Sequence, residues 1–518
     1  MRTVTALRDF IVKYNYVLLL WLLSAALLAT LSDRIVLYDS SSLFQNAVGI
    51  FEEGKTGYQH RNILYGYVLA VPLLLGTDAT TFALILATLS VLITSFLLSR
   101  IIEFHCTAFF AFLSVLALVL SLPVLRYATQ VNSDIPALML IMGTIYCVWL
   151  ALERDRTEAI PWAYAFAALS ISLRYASAVS FPAFLFFMWH TRKRYAAHGA
   201  GLALCGIPFI PQMMYNVHYL KSVYGISYAA QQPVMGLEYF LKDTDGVRVQ
   251  LLHYIKDLLF TNQGVFVLFL PLVVLGLVRS FTVMKGKFAL YLLVFEVSFL
   301  VVLSFFASFS FRYALGALLP CFIWLAVGMK TIDDRLRRDG ARKTVFYAWV
   351  VLALYYNFEI GFQVARSSRA IHEARYAMVE KINALVKNGD IVLCPIADSP
   401  YDPRIKSLSL RNGLVRRIGS FDSLTALENG SPSGDVYCAY PALRWFSDGR
   451  HGHGDVGAFL RDSSAAFEEI ASVASARAFD LSLYTLLRLF HKETMIPGEK
   501  WILVKRVQKP NRTGRRHG

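Results

Sequence analysis

The feature that most constrains this chain is a succession of apolar runs, each close to the length that crosses a bilayer. A spanning helix needs about 20 apolar residues. Such runs lie near 16–32, 80–102, 106–124, 134–152, 161–175, 176–190, 199–218, 263–281, 288–308, 312–331 and 344–364. The stretch ILYGYVLAVPLLLG at 63–76 is shorter and reads as a re-entrant or interfacial helix, with a further span as the alternative. Composition agrees: 56% of residues are hydrophobic and 17% charged, where soluble chains carry about a quarter charged. The expected fold class is an α-helical polytopic membrane protein of about eleven to twelve transmembrane helices. The run from Tyr16 to Leu31 is long for a signal-peptide core, and Thr30-Leu31-Ser32-Asp33 is a poor cleavage site, so it reads as an uncleaved first span.

The formal charge of +15 would suit a nucleic-acid partner if it were clustered in a polar domain. Much of it falls instead in short loops between apolar runs: Arg100, ERDRTE at 153–158, TRKR at 191–194, RSFTVMKGK at 279–287 and KTIDDRLRRDGARK at 330–343. The loops between them, 33–79, 125–133, 219–262 and 309–311, are poor in clustered basic charge. The positive-inside rule then puts the N-terminus in the cytoplasm and the second set of loops outside. The localisation expected is a bacterial inner (plasma) membrane, and no nucleic-acid partner is expected.

Beyond Val364 the composition turns polar. NGDIVLCPI (388–396), GDVYCAY (434–440) and KWILVKRV (500–507) read as short buried strands, and AMVEKINALV (377–386) as an amphipathic helix. The division expected is a membrane domain at 1–365, with its first outer loop at 33–79, and an extracytoplasmic α/β domain at 366–518 ending in a disordered basic tail. Cys394 and Cys438 lie in this second part, and a bridge between them is left open.

The first outer loop opens VLYDSSSLFQNAVGIFEEG. Leu43, Phe44, Ala47, Val48, Ile50 and Phe51 share one face of a helix ending at Gly54, and Ser42 with Gln45 fits a capping box. Such a helix would lie in the membrane interface. Asp39 stands at its start. The loop continues with His60-Arg61 before the apolar ILYGY that contains Tyr65. Farther on, Asp134 and then Arg312-Tyr313 also stand at outer span ends. Ionisable residues gathered at one face of a membrane protein suggest a polar cavity there. The ordinary alternatives are that Asp39 and Asp134 cap helices, and that Arg61 and Arg312 reach the lipid headgroups.

This arrangement resembles the GT-C fold of membrane glycosyltransferases, in the branch of the protein O-mannosyltransferases and the aminoarabinose transferases that act on lipid A. The matching residues are Asp39, NAVGIFEEG, Arg61 and ILYGY, then Ser133-Asp134, LRYASAVSFPAFLF at 173–186 and RYALGALLP at 312–320. Two departures are visible: Asn62-Ile63 stands where the family has Pro-Pro, and Asp39 is followed by Ser rather than by an acidic residue.

The resemblance implies an inverting glycosyltransferase that moves a hexose or pentose from a polyprenyl-phosphate donor to a hydroxyl. The acceptor would be a glycolipid, lipid A, a polysaccharide or a protein. It implies catalytic roles for Asp39, as general base, and Asp134; donor-phosphate contacts from Arg61, Arg312 and His60, with Arg174 and Arg126 ranked below them; and a cavity lined by Tyr65, Tyr313 and Arg174. A carboxylate can take the acceptor proton, and guanidinium suits a departing phosphate. No cofactor is expected. A divalent cation is left open, although no D-x-D pair supports one. The competing readings are a transporter or flippase for lipid-linked saccharides, or a polymerase. Transporters commonly carry internal repeats, and no repeat is visible in this sequence.

Overall fold

The computed structural model describes residues 15–33, 38–54, 63–220, 244–259, 267–305, 311–388, 390–393, 414–416, 435–441, 466–475, 479–480, 495–496 and 500–507. The chain divides into two compact units. One comprises Met1–Asp33 with Ser42–Ala365, the other Arg34–Ser41 with Arg366–Gly518.

The first unit is helical. Its helices are α1 (Asn15–Leu31), α2 (Tyr38–Glu53, from Ser42 on), α3 (Ile63–Leu74), α4 (Ala79–His105), α5 (Ala108–Val119), α6 (Leu122–Ala128), α7 (Asp134–Glu153) and α8 (Ala159–Leu173). They continue with α9 (Phe181–Thr191), α10 (Tyr195–Gly206), α11 (Ile210–Leu220), α12 (Thr244–Leu259), α13 (Leu270–Val283), α14 (Gly286–Ser304), α15 (Leu318–Arg335) and α16 (Gly340–Leu385). The unit boundary falls inside α16.

Helix covers part of every predicted span. Among the described residues, five helices are long and apolar enough to cross a membrane, and the pair α5–α6, bent by 58°, makes a sixth if taken as one span. The remaining apolar runs form shorter helices, such as α1, α3 and α8. Several of the apolar runs are broken by proline. Pro123 opens α6, Pro182 opens α9, and a 3-10 turn containing Pro208 separates α10 from α11. Proline lacks the N–H that would continue the helical ladder.

Lipid offers helices little hydrophobic drive to associate, so close backbone approach matters more than in water. The tightest crossing joins α13 and α15. A Cβ built at Gly276 would collide with the Trp324 carbonyl, and one at Gly328 with the Leu272 carbonyl. The hydroxyls of Ser24, Thr94 and Thr144 donate to carbonyls four residues back. They thereby satisfy themselves within their own helices.

The amphipathic helix predicted after Asp39 is present as α2, and Gly54 ends it with φ +68. Glycine enters that left-handed region without the penalty other residues meet. One detail differs from expectation. The helix starts at Tyr38, so Ser42 lies inside it and does not cap it. Part of its apolar face is covered by protein, with Leu43, Phe44 and Ala47 buried and Gly66 of α3 packed against Asn46, Ala47 and Ile50, while Phe51 stays exposed.

The second unit is built on a five-stranded mixed sheet. Its strands are β1 (Ile391–Leu393), β2 (Leu414–Arg416), β3 (Val436–Pro441), β4 (Ala466–Ala474) and β7 (Lys500–Val507), in the order β2-β1-β3-β7-β4. The strand β1 runs parallel to β2 and β3, while β7 is antiparallel to β3 and β4. Two short strands, β5 (Phe479–Asp480) and β6 (Met495–Ile496), pair separately. Met378, Val379, Ile382 and Val386 of α16 pack on Val392, Tyr437, Ala439 and Leu503 of the sheet. The predicted strands at 388–396, 434–440 and 500–507 each overlap an observed one. Cys438 lies in β3, and Cys394 lies outside the described residues.

Candidate active site

Three charged side chains from three separate segments of the first unit meet at one end of its helices. Asp134 is the first residue of α7, with Ser133 before it as the cap residue. Its backbone N–H donates to the Asn132 side chain at 3.0 Å, and Pro136 follows in the first turn. Asp134 therefore does not hold the N-cap position, and its carboxylate points elsewhere. A carboxylate in the first turn is also favoured by the helix dipole.

Arg174 ends α8, in extended conformation with φ −152 and ψ 111, and a 3-10 segment at Tyr175–Ser180 follows. That break turns the chain across the end of the bundle and carries the guanidinium to Asp134, with which it forms an ion pair. A second 3-10 segment, Phe311–Ala317, supplies Arg312, whose Nε lies 3.3 Å from Asp134 Oδ2. The Arg174 guanidinium also stacks over the Tyr313 ring at 5.0 Å. The Asp134 side chain is fully enclosed, whereas those of Arg174 and Arg312 keep 12% and 22% of their exposure. Neither carboxylate oxygen receives an aligned hydrogen bond from a described residue, so the attraction is that of close charges.

A narrow cavity of about 10 Å³, room for about one water, adjoins the cluster. Its wall includes Asp134, Arg174, Arg312, Tyr313, Ser177 and Phe299. Gly316 brings the second 3-10 segment against α14, because a Cβ there would strike the Phe299 ring. The cluster sets two guanidiniums beside one carboxylate at the cavity wall. Arginine pairs there are suited to an anion with several oxygens, such as a phosphate.

The structure thus brings together Asp134, Arg174, Arg312 and Tyr313. Arg174 contacts Asp134 directly, closer than its sequence ranking suggested. Tyr65 is fully buried in α3 and is not part of the cavity wall. Arg126 is exposed and lies over the neighbouring Tyr127 ring. His60 and Arg61 lie outside the described residues, as does the side chain of Asp39, whose backbone is in the first turn of α2. The Asp33 amide donates to the Thr129 carbonyl at 2.8 Å. Asp33, after α1, thus lies next to Thr129, five residues before Asp134. Ser177 and Phe299 were not anticipated. Ser177 falls within the 173–186 motif, but only the 3-10 turn brings it to the cavity.

The whole chain has structural relatives. It superposes on ArnT from Cupriavidus metallidurans bound to undecaprenyl phosphate with a TM-score of 0.55 and 12% identity, covering 97% of this chain and 98% of that one. Against the Archaeoglobus fulgidus oligosaccharyltransferase in complex with Zn and sulfate, the TM-score is 0.50 at 9% identity, covering 76% and 62%. Against the arabinofuranosyltransferase AftD from Mycobacteria, it is 0.51 at 13% identity, covering 94% and 40%. The chain has the GT-C fold.

Within this GT-C chain, residues 60–215 match the dolichyl-phosphate-mannose-protein mannosyltransferase family. That segment contains Asp134 and Arg174, while Asp39 and Arg312 fall outside it. No curated protein sequence matches the chain. Among the described residues of this GT-C protein, no group of three or more His, Cys, Asp or Glu side chains could hold a metal ion.

Proposed function

We propose that the protein is an inverting glycosyltransferase that moves a sugar from a polyprenyl-phosphate donor to an acceptor hydroxyl at the outer face of a bacterial inner membrane. The observation that carries this reading is the buried carboxylate of Asp134 between Arg174 and Arg312, beside a cavity in a GT-C fold.

The reaction forms a bond from the acceptor oxygen to the anomeric carbon as the bond from that carbon to the donor phosphate oxygen breaks. The acceptor proton passes to a base, and polyprenyl phosphate leaves as a stable anion. In-line attack inverts the anomeric centre, through a transition state of oxocarbenium character. The leaving anion needs positive charge in place before it departs. Arg174 and Arg312 supply it.

The carboxylate of Asp134 is already engaged by two guanidiniums. We assign it the task of holding both arginines at the cavity wall. The general base is assigned to Asp39, from the loop that leaves the bundle next to Thr129. Arg61 and His60 are assigned to the same donor phosphate.

The test is transfer by the purified full chain from a panel of polyprenyl-phosphate sugars, with Asp39→Asn beside the wild type. Loss of about a hundredfold or more is expected for removal of a general base. Wild-type turnover by the variant would remove Asp39 from the mechanism, and no transfer from any donor would count against the whole reading.

A further inference from the structure

A second charged cavity lies at the other end of α7. That helix runs from Asp134 to Glu153, 20 residues, which at about 1.5 Å per residue spans roughly 30 Å, the hydrocarbon thickness of a bilayer. Past its Glu153 end is a cavity of about 610 Å³, set between the ends of α4, α7 and α8. Arg100 and Phe104 come to it from α4, Trp149 from α7, Arg154 and Arg156 from the turn that follows, and Trp162 from α8.

Three guanidiniums face two carboxylates in this wall. Arg100 pairs with Glu103 at 3.0 Å, and Arg156 with Glu158 at 3.2 Å. Arg154 has no carboxylate partner among the described residues, and its guanidinium stands 4.9 Å from the centre of the Phe104 ring. Trp149 packs edge-on against Phe104 at 5.5 Å. Trp149 is almost fully buried, yet its indole N–H finds no acceptor among the described residues. The cavity therefore offers a cation, Arg154, with no carboxylate partner among the described residues, suited to oxygen of an anion.

The surroundings indicate what kind of anion. Phe104 and Trp162 are about half exposed, and above Phe104 on α4 the exposed Ile85, Leu89 and Ile93 form a stripe at four-residue spacing. Such a stripe on a spanning helix faces lipid, and aromatic rings at its end mark the headgroup level. A ligand there is offered a polar end in the cavity and an apolar path along α4. Basic pockets between spanning helices suit anionic lipid headgroups.

We propose that the Arg100–Arg154–Arg156 cavity binds the phosphate headgroup of an anionic phospholipid at the membrane interface opposite Asp134. The lipid clamps the ends of α4, α7 and α8, and the site takes no part in sugar transfer.

The experiment uses the full chain purified in detergent. It is incubated with equal amounts of dioleoylphosphatidylglycerol and dioleoylphosphatidylcholine, and retained lipid is counted by native mass spectrometry. The wild type retains phosphatidylglycerol in preference by about tenfold. Arg154→Gln, and separately Arg154→Ala with Arg156→Ala, lose that preference while keeping the wild-type binding of a polyprenyl phosphate, which shows that they fold. Equal retention of the two lipids by the wild type, or an unchanged preference in both variants, would overturn the proposal. A third arm adds inorganic phosphate alone. If it raises the melting temperature as much as phosphatidylglycerol does, the site takes a soluble anion and the lipid assignment fails.

Discussion

Arg312 reaches Asp134 from a point 178 residues away in the chain, its Nε 3.3 Å from Asp134 Oδ2, while Arg174 closes on the same carboxylate. Removing one member of a buried charged group leaves the others uncompensated, at a cost of about 3–5 kcal/mol. Asp134→Asn is therefore expected to lower the melting temperature and to cut sugar transfer together. The double variant Asp134→Asn with Arg312→Gln should be less destabilised than the sum of the two singles. Strict additivity in thermal unfolding would show that the pair is not coupled.

Arginine and lysine differ at this site because the Arg174 guanidinium both pairs with Asp134 and stacks on Tyr313. A lysine would supply one point charge and no planar stack. Arg174→Lys should raise the KM for donor by about tenfold or more, with a smaller change in the KM for acceptor. Equal effects on both substrates would argue against a donor-side role.

The crossing of α13 and α15 at Gly276 and Gly328 admits no side chain. Gly328→Val should push the two helices apart and reduce stability by about 1–3 kcal/mol or more, in line with overpacking elsewhere. The measurement is thermal unfolding in detergent. An unchanged midpoint would mean that the crossing is looser than described.

Asp78 caps α4, accepting from the Thr80 and Thr81 amides at 2.9 and 3.3 Å and from the Thr81 hydroxyl at 2.6 Å. Partial burial works against its charge, but these hydrogen bonds outweigh it and hold its carboxyl below the usual range. Its contribution is present above the unfolded-state value and is lost as pH falls through the depressed one. Asp78→Ala should cost about 1 kcal/mol at neutral pH. The gap from wild type should close in acid, where a gap that widened would contradict the sign.

In the second unit, Asp390 accepts from the Lys387 amide at 2.8 Å and the Asp435 amide at 3.0 Å, tying the turn after α16 to the start of β3. Each such bond to a charged group is worth about 1.5–3 kcal/mol. Asp390→Ala should speed hydrogen exchange at Ile391–Leu393 and Val436–Cys438 and leave α7 unchanged. Unaltered exchange in β1 and β3 would remove Asp390 from that role.

The apolar runs were legible because a bilayer demands length and hydrophobicity, both of which are local properties of the sequence. The strands β1, β3 and β7 were legible for a similar reason: each is a short apolar run next to a turn signal. The interruption of spans was less legible. Pro123, Pro182 and Pro208 were in plain view, but whether a proline kinks a helix or ends it depends on what packs around it. The placement of Asp134 and Arg312 at the same end followed from counting spans. The direct contact of Arg174 with Asp134 did not, since it depends on a 3-10 turn at Tyr175–Ser180 that no periodicity marks. The Tyr65 ring illustrates the converse. The resemblance implied that it lines the cavity, and in the structure the residue is completely buried in α3.

The central claim is that Arg174 and Arg312, held by Asp134, bind the phosphate of a lipid. The most direct measurement is the Kd of the full chain for a polyprenyl phosphate in detergent, for wild type and for Arg174→Gln with Arg312→Gln. The account predicts a loss of about a hundredfold, or close to 3 kcal/mol, consistent with removing charge-assisted contacts to phosphate. An unchanged Kd in a folded double variant would contradict it.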